Sequence, residues 1–284
     1  MNSTMKMILN GGIMKESEAM ISPHNRGMMY GDGCFETLRS YSGSFLGWDT
    51  HFERLKAGLE YLEIKPDLNS DELKQHILKL IDVNGLSVED AMIRIQCWRK
   101  GDRGYKTNSS QMEWMIQTSA VTPDNTPMKL TLAEIRCIPS EALDRKYKLS
   151  NGLNYIKAAQ EAKAALCDDA LMLTVHDKIS ETTSANIFWV KENEVYTPNV
   201  DCDLLPGVTR GIVMEVIRSF GLELQTGEFD LNEVREAEAV FITNSLVEIK
   251  EILSLDDIIF EIEHPLVIKI KESFEQYKVQ ELKT

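Results

Sequence analysis

The sequence predicts an α+β protein built from two domains. Three observations carry this. The chain has 284 residues, enough for two cores. Strand-like and helix-like patterns occur in both halves. A segment with two prolines, Val121-Thr-Pro-Asp-Asn-Thr-Pro127, lies between them and reads as a linker. The boundaries that follow are an N-terminal α+β domain over 1–120, the linker over 121–127 and a C-terminal α+β domain over 128–284.

In the first part, Lys6–Leu9 is a strand candidate ended by the turn pair Gly11-Gly12. A glycine-rich segment covers 26–39. Phe52, Leu55, Leu59 and Leu62 recur at helical spacing, which predicts a helix starting near Thr50. A second helix is expected over Ser70–Asn84, where Asp71 and Glu72 favour the positive end of the helix dipole. Ala91–Trp98 and Met112–Thr118 read as strands.

In the second part, Met128–Ile138 reads as a strand and a polar stretch leads to Lys148. Tyr155–Leu166 is rich in strong helix formers. Asp169–Val175 and Ala185–Val190 read as strands flanking a polar turn that holds Glu181. Ile212, Val213, Val216, Ile217 and Phe220 give an apolar helix face over Thr209–Phe220. Ala239–Thr243 is a short strand, and a helix follows Pro265.

Composition narrows the function classes. Lys and Arg number 31 against 45 Asp and Glu, a net charge of −14. An acidic surface repels phosphate backbones, so nucleic acid is not an expected partner. No apolar run has the length of a membrane span, and Met1–Met14 lacks the apolar region of a signal peptide, so the expected location is cytoplasmic. The five cysteines are far apart, and no two histidines have ligand spacing. Neither a disulfide framework nor a metal site is expected.

Three segments carry possible chemistry. Glu181, in its polar turn, is placed to hydrogen-bond a ring nitrogen, or is a solvated turn residue. Leu204-Leu-Pro-Gly-Val-Thr-Arg210 runs into a helix, whose free N–H groups and Thr209 hydroxyl make an anion site; a plain cap is the alternative. Phe241-Ile-Thr-Asn-Ser245 ends a strand in hydroxyl and amide groups.

Taken in order, these pieces resemble the class IV aminotransferase family of pyridoxal 5′-phosphate (PLP) enzymes, fold type IV. Its members include branched-chain and D-amino acid aminotransferases and aminodeoxychorismate lyase. The resemblance runs from Arg26 to about Ile252. It rests on Arg-Gly-x-x-Tyr-Gly-Asp-Gly-x-Phe-Glu-Thr from Arg26, His-x-x-Arg-Leu from His51, a lysine followed by Asn151, then Glu161-Ala162. Ser180-Glu181 with Asn186-Ile-Phe188, Pro206-Gly-Val-Thr-Arg210 and Thr243-Asn-Ser complete the order.

The resemblance implies a two-domain fold with the cofactor in the cleft between domains, and a homodimer. It implies that Lys148, three residues before Asn151 and thirty-three before Glu181, is the Schiff-base and catalytic lysine carried by the C-terminal domain. Lys146 and Lys157 are neighbouring alternatives. Glu181 is then the carboxylate at the pyridinium nitrogen, favouring its protonated form. Arg54 is the phosphate-binding arginine, its planar fork suited to bidentate contacts. Val208, Thr209, Asn244 and Ser245 complete the phosphate contacts.

Substrate contacts are implied for Phe35, Arg94, Arg103 and Tyr105. Strand alternation puts Arg94 with Gln96 and Trp98 on one face, which either lines the site or meets solvent. Arg103-Gly-Tyr105 and Thr243-Asn-Ser-Leu246 resemble the lyase branch. Tyr105 stands where the D-amino acid enzymes want a histidine, and Gly152-Leu-Asn-Tyr155 only partly echoes the branched-chain pattern. The expected function is an aminotransferase acting on a branched-chain or related amino acid with a 2-oxo acid acceptor. The alternative is an aminodeoxychorismate lyase releasing pyruvate and 4-aminobenzoate. A PLP-binding protein without turnover is the third reading.

Overall fold

The computed structural model describes residues 5–66, 68–122 and 124–283. The expected linker includes Pro123, and the expected leaderless start includes Met1–Thr4; these lie outside the described residues. The chain groups into two units, Met1–Thr122 with Tyr147–Asn151, and Pro123–Lys146 with Gly152–Thr284. Lys148 therefore belongs with the first unit, not with the C-terminal domain where the sequence reading placed it. The reason is backbone pairing: Phe35 N donates to the Lys148 carbonyl at 2.9 Å and Ser150 N to the Gly33 carbonyl at 2.9 Å.

In the first unit, β1 (Lys6–Leu9) and β2 (Gly12–Lys15) form a hairpin. Its turn residues Asn10 and Gly11 have φ of 48° and 83°, the left-handed geometry that tight hairpins need. Then come α1 (Arg26–Tyr30), β3 (Gly33–Tyr41), β4 (Ser44–Phe45), α2 (Trp48–Tyr61), α3 (Ser70–Val83), β5 (Asp90–Arg99) and β6 (Met112–Ala120). The six strands pair in the order β2-β1-β6-β5-β3-β4, all antiparallel. Alternation divides β3. Cys34, Glu36, Leu38 and Ser40 are buried, while Phe35, Thr37, Arg39 and Tyr41 form the half-buried opposite face.

The helices cover the Cys34–Glu36 face. A Cβ on Gly58 of α2 would meet the Cys34 Sγ at 3.3 Å. In α3, Leu73, Ile77, Leu80 and Ile81 are buried at helical spacing, each worth roughly 1.5–3 kcal/mol of apolar burial. Asn69 and Glu72 close a capping box at its start.

The second unit contains β7 (Met128–Leu132), α4 (Leu153–Ala164), β8 (Asp169–Leu173), β9 (Ile179–Thr182), β10 (Asn186–Lys191) and β11 (Glu194–Pro198). After these come α5 (Val208–Ser219), β12 (Leu224–Gly227), α6 (Leu231–Arg235), β13 (Ala239–Asn244), β14 (Glu248–Leu255), β15 (Ile258–Ile259) and α7 (Pro265–Glu281). The sheet path is β12-β11-β10-β13-β14-β7-β8-β9, with β15 on β14. β9 then pairs back onto β10 through Glu181 and Asn186, so six strands close a ring. Strands β8, β9, β10 and β13 are buried on both faces along nearly their whole length. One face packs Leu171, Ile187, Trp189 and Ile242 into a common core; the other packs Ala170 and Met172 against Ala158 and Ala162 of α4.

Two sequence expectations change. The strand expected over Met128–Ile138 stops at Leu132. Beyond it Ala133 N and Cys137 N bond the Leu171 and Leu173 carbonyls, so four residue steps run against two and the ladder bulges. Glu181 lies on a strand, not in a turn; the turn is Thr183–Ser184.

Candidate active site

Lys148 sits on a five-residue segment laid along β3, with Leu149 bridged to Cys34. Its Nζ lies 4.8 Å from the Phe35 ring centroid, and the Arg94 guanidinium carbon lies 4.1 Å from the same ring. Phe35 and Gln96 are register partners across β3 and β5, as are Thr37 and Arg94. The Gln96 Nε2 donates to Ser150 Oγ at 2.7 Å, and Arg94 Nη2 donates to Gln96 Oε1 at 3.2 Å. The fold thus gathers Lys148, Phe35 and Arg94 on one face, with burial lowering the Arg94 pKa. The Phe35 ring thus lies against both the Lys148 amine and the Arg94 guanidinium. Trp98 shares the face in register but is buried under α1, where a Cβ on Gly27 would lie 2.8 Å from its own Cβ.

On the helix side of the same sheet, Arg54 of α2 grips Glu36. Nε donates to Oε1 at 2.7 Å and Nη2 to Oε2 at 2.8 Å, while His51 Nδ1 lies 2.9 Å from Oε2. Burial alone would raise the Glu36 pKa. The Arg54 charge and the hydrogen bonds from Arg54 and His51 more than offset it, holding the carboxyl at about 2.

The second unit holds Glu181, 5% exposed. Its Oε1 accepts from the Tyr155 hydroxyl at 2.7 Å, and its Oε2 from Asn186 Nδ2 and Leu205 N, both at 3.1 Å. The ring closure explains this: Glu181 is the register partner of Asn186, and Asn186 that of Thr243. The three side chains stand in a row on one face. Donors to the ionised carboxylate favour that form.

At the start of α5 the cap is Gly207, not Thr209, and no side chain caps the helix. Val208 and Thr209 are buried at its first turn. Gly207 is required by contact, since a Cβ there would fall 2.2 Å from Asn186 Oδ1. An uncapped first turn leaves N–H groups that an anion satisfies. Asn244 serves its own turn: its Oδ1 accepts from Leu246 N and Val247 N at 2.9 Å each, and its Nδ2 donates to the Ser184 carbonyl. Ser245 is half-buried beside it. The Thr243 hydroxyl, by contrast, is buried and has no hydrogen-bond partner among the described residues.

Arg103 and Tyr105 lie on an exposed loop between β5 and β6; Tyr105 is 90% exposed, with its ring 5.4 Å from that of Tyr30. Arg26 ties the loop down, donating to the Asp102 and Gly104 carbonyls while pairing with Asp32 at 2.7 Å. Gly31, at φ 67°, leaves room for Asn151, whose Nδ2 would lie 2.7 Å from an added Cβ.

Sequence reasoning quoted Glu36, His51, Tyr155, Asn186 and Thr243 within motifs without giving them roles, and it missed Arg145. A signal existed for the first pair. Glu36 falls on the buried phase of β3 between Cys34 and Leu38, where a carboxylate needs partners, and His51 and Arg54 share a helix face at i, i+3.

A family model for amino-transferase class IV matches residues 33–255. The chain is 28% identical over 254 residues to an aminodeoxychorismate lyase of Bacillus subtilis, covering 88% of this chain and 86% of that one. It is 28% identical over 282 residues to a putative branched-chain-amino-acid aminotransferase of Methanocaldococcus jannaschii, covering 97% of each. Among solved structures, a branched-chain aminotransferase of Thermoproteus uzoniensis with norvaline superposes with a TM-score of 0.91 at 24% identity, covering 98% of this chain and 95% of that one, which shows the fold.

Proposed function

The chain belongs to the class IV aminotransferase family, whose members are PLP enzymes, and on that premise we propose that it moves the amino group of an amino acid to a 2-oxo acid. The observation that carries the reading is the buried Glu181 carboxylate, held by three donors in the form that favours a protonated ring nitrogen. The donor set fits the cofactor. The α5 start lacks a side-chain cap, and the Thr243 hydroxyl in the same row as Glu181 is an orphaned buried group.

In this reading Lys148 is the covalent anchor for the cofactor, Glu181 meets its ring nitrogen, and Arg54, Val208 and Thr209 hold its phosphate. Asn244 and Ser245 support that end: Asn244 shapes the turn and Thr243 offers the hydroxyl. When bound, PLP supplies an electron sink for the negative charge that develops at the substrate α-carbon. Lys148, as a neutral amine, takes the α-proton and returns a proton elsewhere. Arg94, above Phe35, pairs with a substrate carboxylate. Arg103 and Tyr105 are outer substrate contacts reached only through their loop.

The lyase is the second reading, favoured by the Arg103-Gly104-Tyr105 pattern. Incubating the protein with L- and D-amino acids plus 2-oxoglutarate, and separately with aminodeoxychorismate, tests both. Glutamate formation establishes the transaminase and 4-aminobenzoate the lyase; the absence of both products contradicts the enzyme reading. A cytoplasmic homodimer belongs to the same proposal. No helix among the described residues is long and apolar enough to cross a membrane, and a monomer by light scattering would refute the dimer.

A further inference from the structure

We propose that Arg145 and Tyr155 are positioning residues that fix the Glu181 carboxylate through one directed chain of hydrogen bonds. This deepens the function proposed above and rests on its reading of Glu181.

All three residues lie in the second unit. Tyr155 stands in the first turn of α4, and the Arg145 guanidinium carbon lies 5.0 Å from its ring centroid. Arg145 Nη2 donates to the Tyr155 hydroxyl oxygen. That hydroxyl donates its single proton to Glu181 Oε1 at 2.7 Å. A phenol has one proton to give, so an oxygen that accepts from a guanidinium and lies against a carboxylate can be ordered in only one direction. Burial, and then the Glu181 charge, push the Tyr155 pKa upward. The hydroxyl therefore stays protonated and always donates.

Arg145 is the unusual member. It is buried, and its Nε and Nη1 have no partner among the described residues. A buried cation with two unmet donors is costly, and a neutral donor would satisfy the tyrosine oxygen with less desolvation. What the guanidinium adds is polarisation. Its charge makes the phenol a stronger donor, and consecutive hydrogen bonds reinforce one another. Asn186 Nδ2 and Leu205 N donate to Oε2, while Tyr155 donates to Oε1.

The test measures PLP affinity of the apoprotein, and the absorbance maximum of the bound cofactor, for Tyr155→Phe, Arg145→Gln, their double variant and Glu181→Gln. Loss of a hydrogen bond to a charged group predicts a roughly ten- to hundredfold weaker PLP affinity for Tyr155→Phe. Its absorbance shift should match that of Glu181→Gln in direction, a signature that loosened packing would not produce. Because Arg145 acts through the tyrosine, the double variant should bind PLP as Tyr155→Phe does, to within about twofold. Should Arg145→Gln not fold, Arg145→Met, similar in volume and uncharged, replaces it. The proposal is overturned if Tyr155→Phe keeps wild-type affinity and absorbance, or if the two single losses multiply in the double. If the wild type binds no PLP, or Glu181→Gln changes nothing, the proposed function fails and this inference with it.

Discussion

Replacing Glu36 by glutamine removes the charge at the centre of the Arg54–His51 cluster while keeping its shape. Glu36 is 1% exposed, and its carboxyl is depressed from 4.5 to about 2. At about 1.36 kcal/mol for each pH unit, that depression amounts to about 3 kcal/mol of folding stability. Removing one partner of a buried ion pair costs roughly 3–5 kcal/mol by a separate route, so the two agree. The sign follows from the depressed pKa. The contribution is fully present above pH 4.5 and is lost as pH falls toward about 2. The assay is urea unfolding of the apoprotein, read by fluorescence, since Trp48, Trp98 and Trp114 all lie in the first unit. With an m-value on the order of 3 kcal/mol/M, Glu36→Gln should lower the midpoint at pH 7 by about 1 M. The variant should also lose the Glu36 share of the acid sensitivity, so that its stability falls less steeply than the parent's below pH 4.5. A midpoint unchanged at pH 7, or an acid limb as steep as the parent's, would refute this account of how Arg54 is held.

Gly207→Ala should lower thermal stability by about 1–3 kcal/mol and weaken PLP binding, because the new methyl must displace the Asn186 amide that supports Glu181; calorimetry and cofactor titration check it, and unchanged values for both would contradict the contact. Iodoacetamide at pH 8 should label Cys167 far faster than the other cysteines. Cys34, Cys97, Cys137 and Cys202 are buried, and burial pushes the Cys97 and Cys137 thiols up to about 12. Intact mass spectrometry showing more than one rapid adduct on the native protein would count against that packing.

What the sequence made legible is the material with strong periodicity. The α2, α3 and α5 helices carry apolar residues at helical spacing, and β5 and β6 alternate apolar and polar residues. β3 was hidden because Gly31 and Gly33 read as a loop, although Gly33 is needed where its Cβ would strike the Cys97 carbonyl at 2.3 Å. β12 and β14 were missed for a different reason. Their residues, such as Gln225, Lys250 and Glu251, are polar or charged and are placed by pairing with distant strands. The site divides along the same line. Lys148, Glu181 and Arg54 were singled out through ordered motifs. Tyr155 was not, because its hydroxyl meets Glu181 only after α4 packs on β8, a contact no local pattern encodes. Thr243 was passed over for Asn244 and Ser245, where the family resemblance places small polar residues, whereas register puts Thr243 beside Asn186 and Asn244 serves its own turn.

The central claim is that one particular amine carries the cofactor. Borohydride reduction of the PLP-loaded protein, followed by peptide mass spectrometry, locates that amine. The account predicts the reduced cofactor on Lys148, and no labelled peptide from Lys148→Ala. Label on Lys146 or Lys157, or a Lys148→Ala protein that retains it, would contradict it.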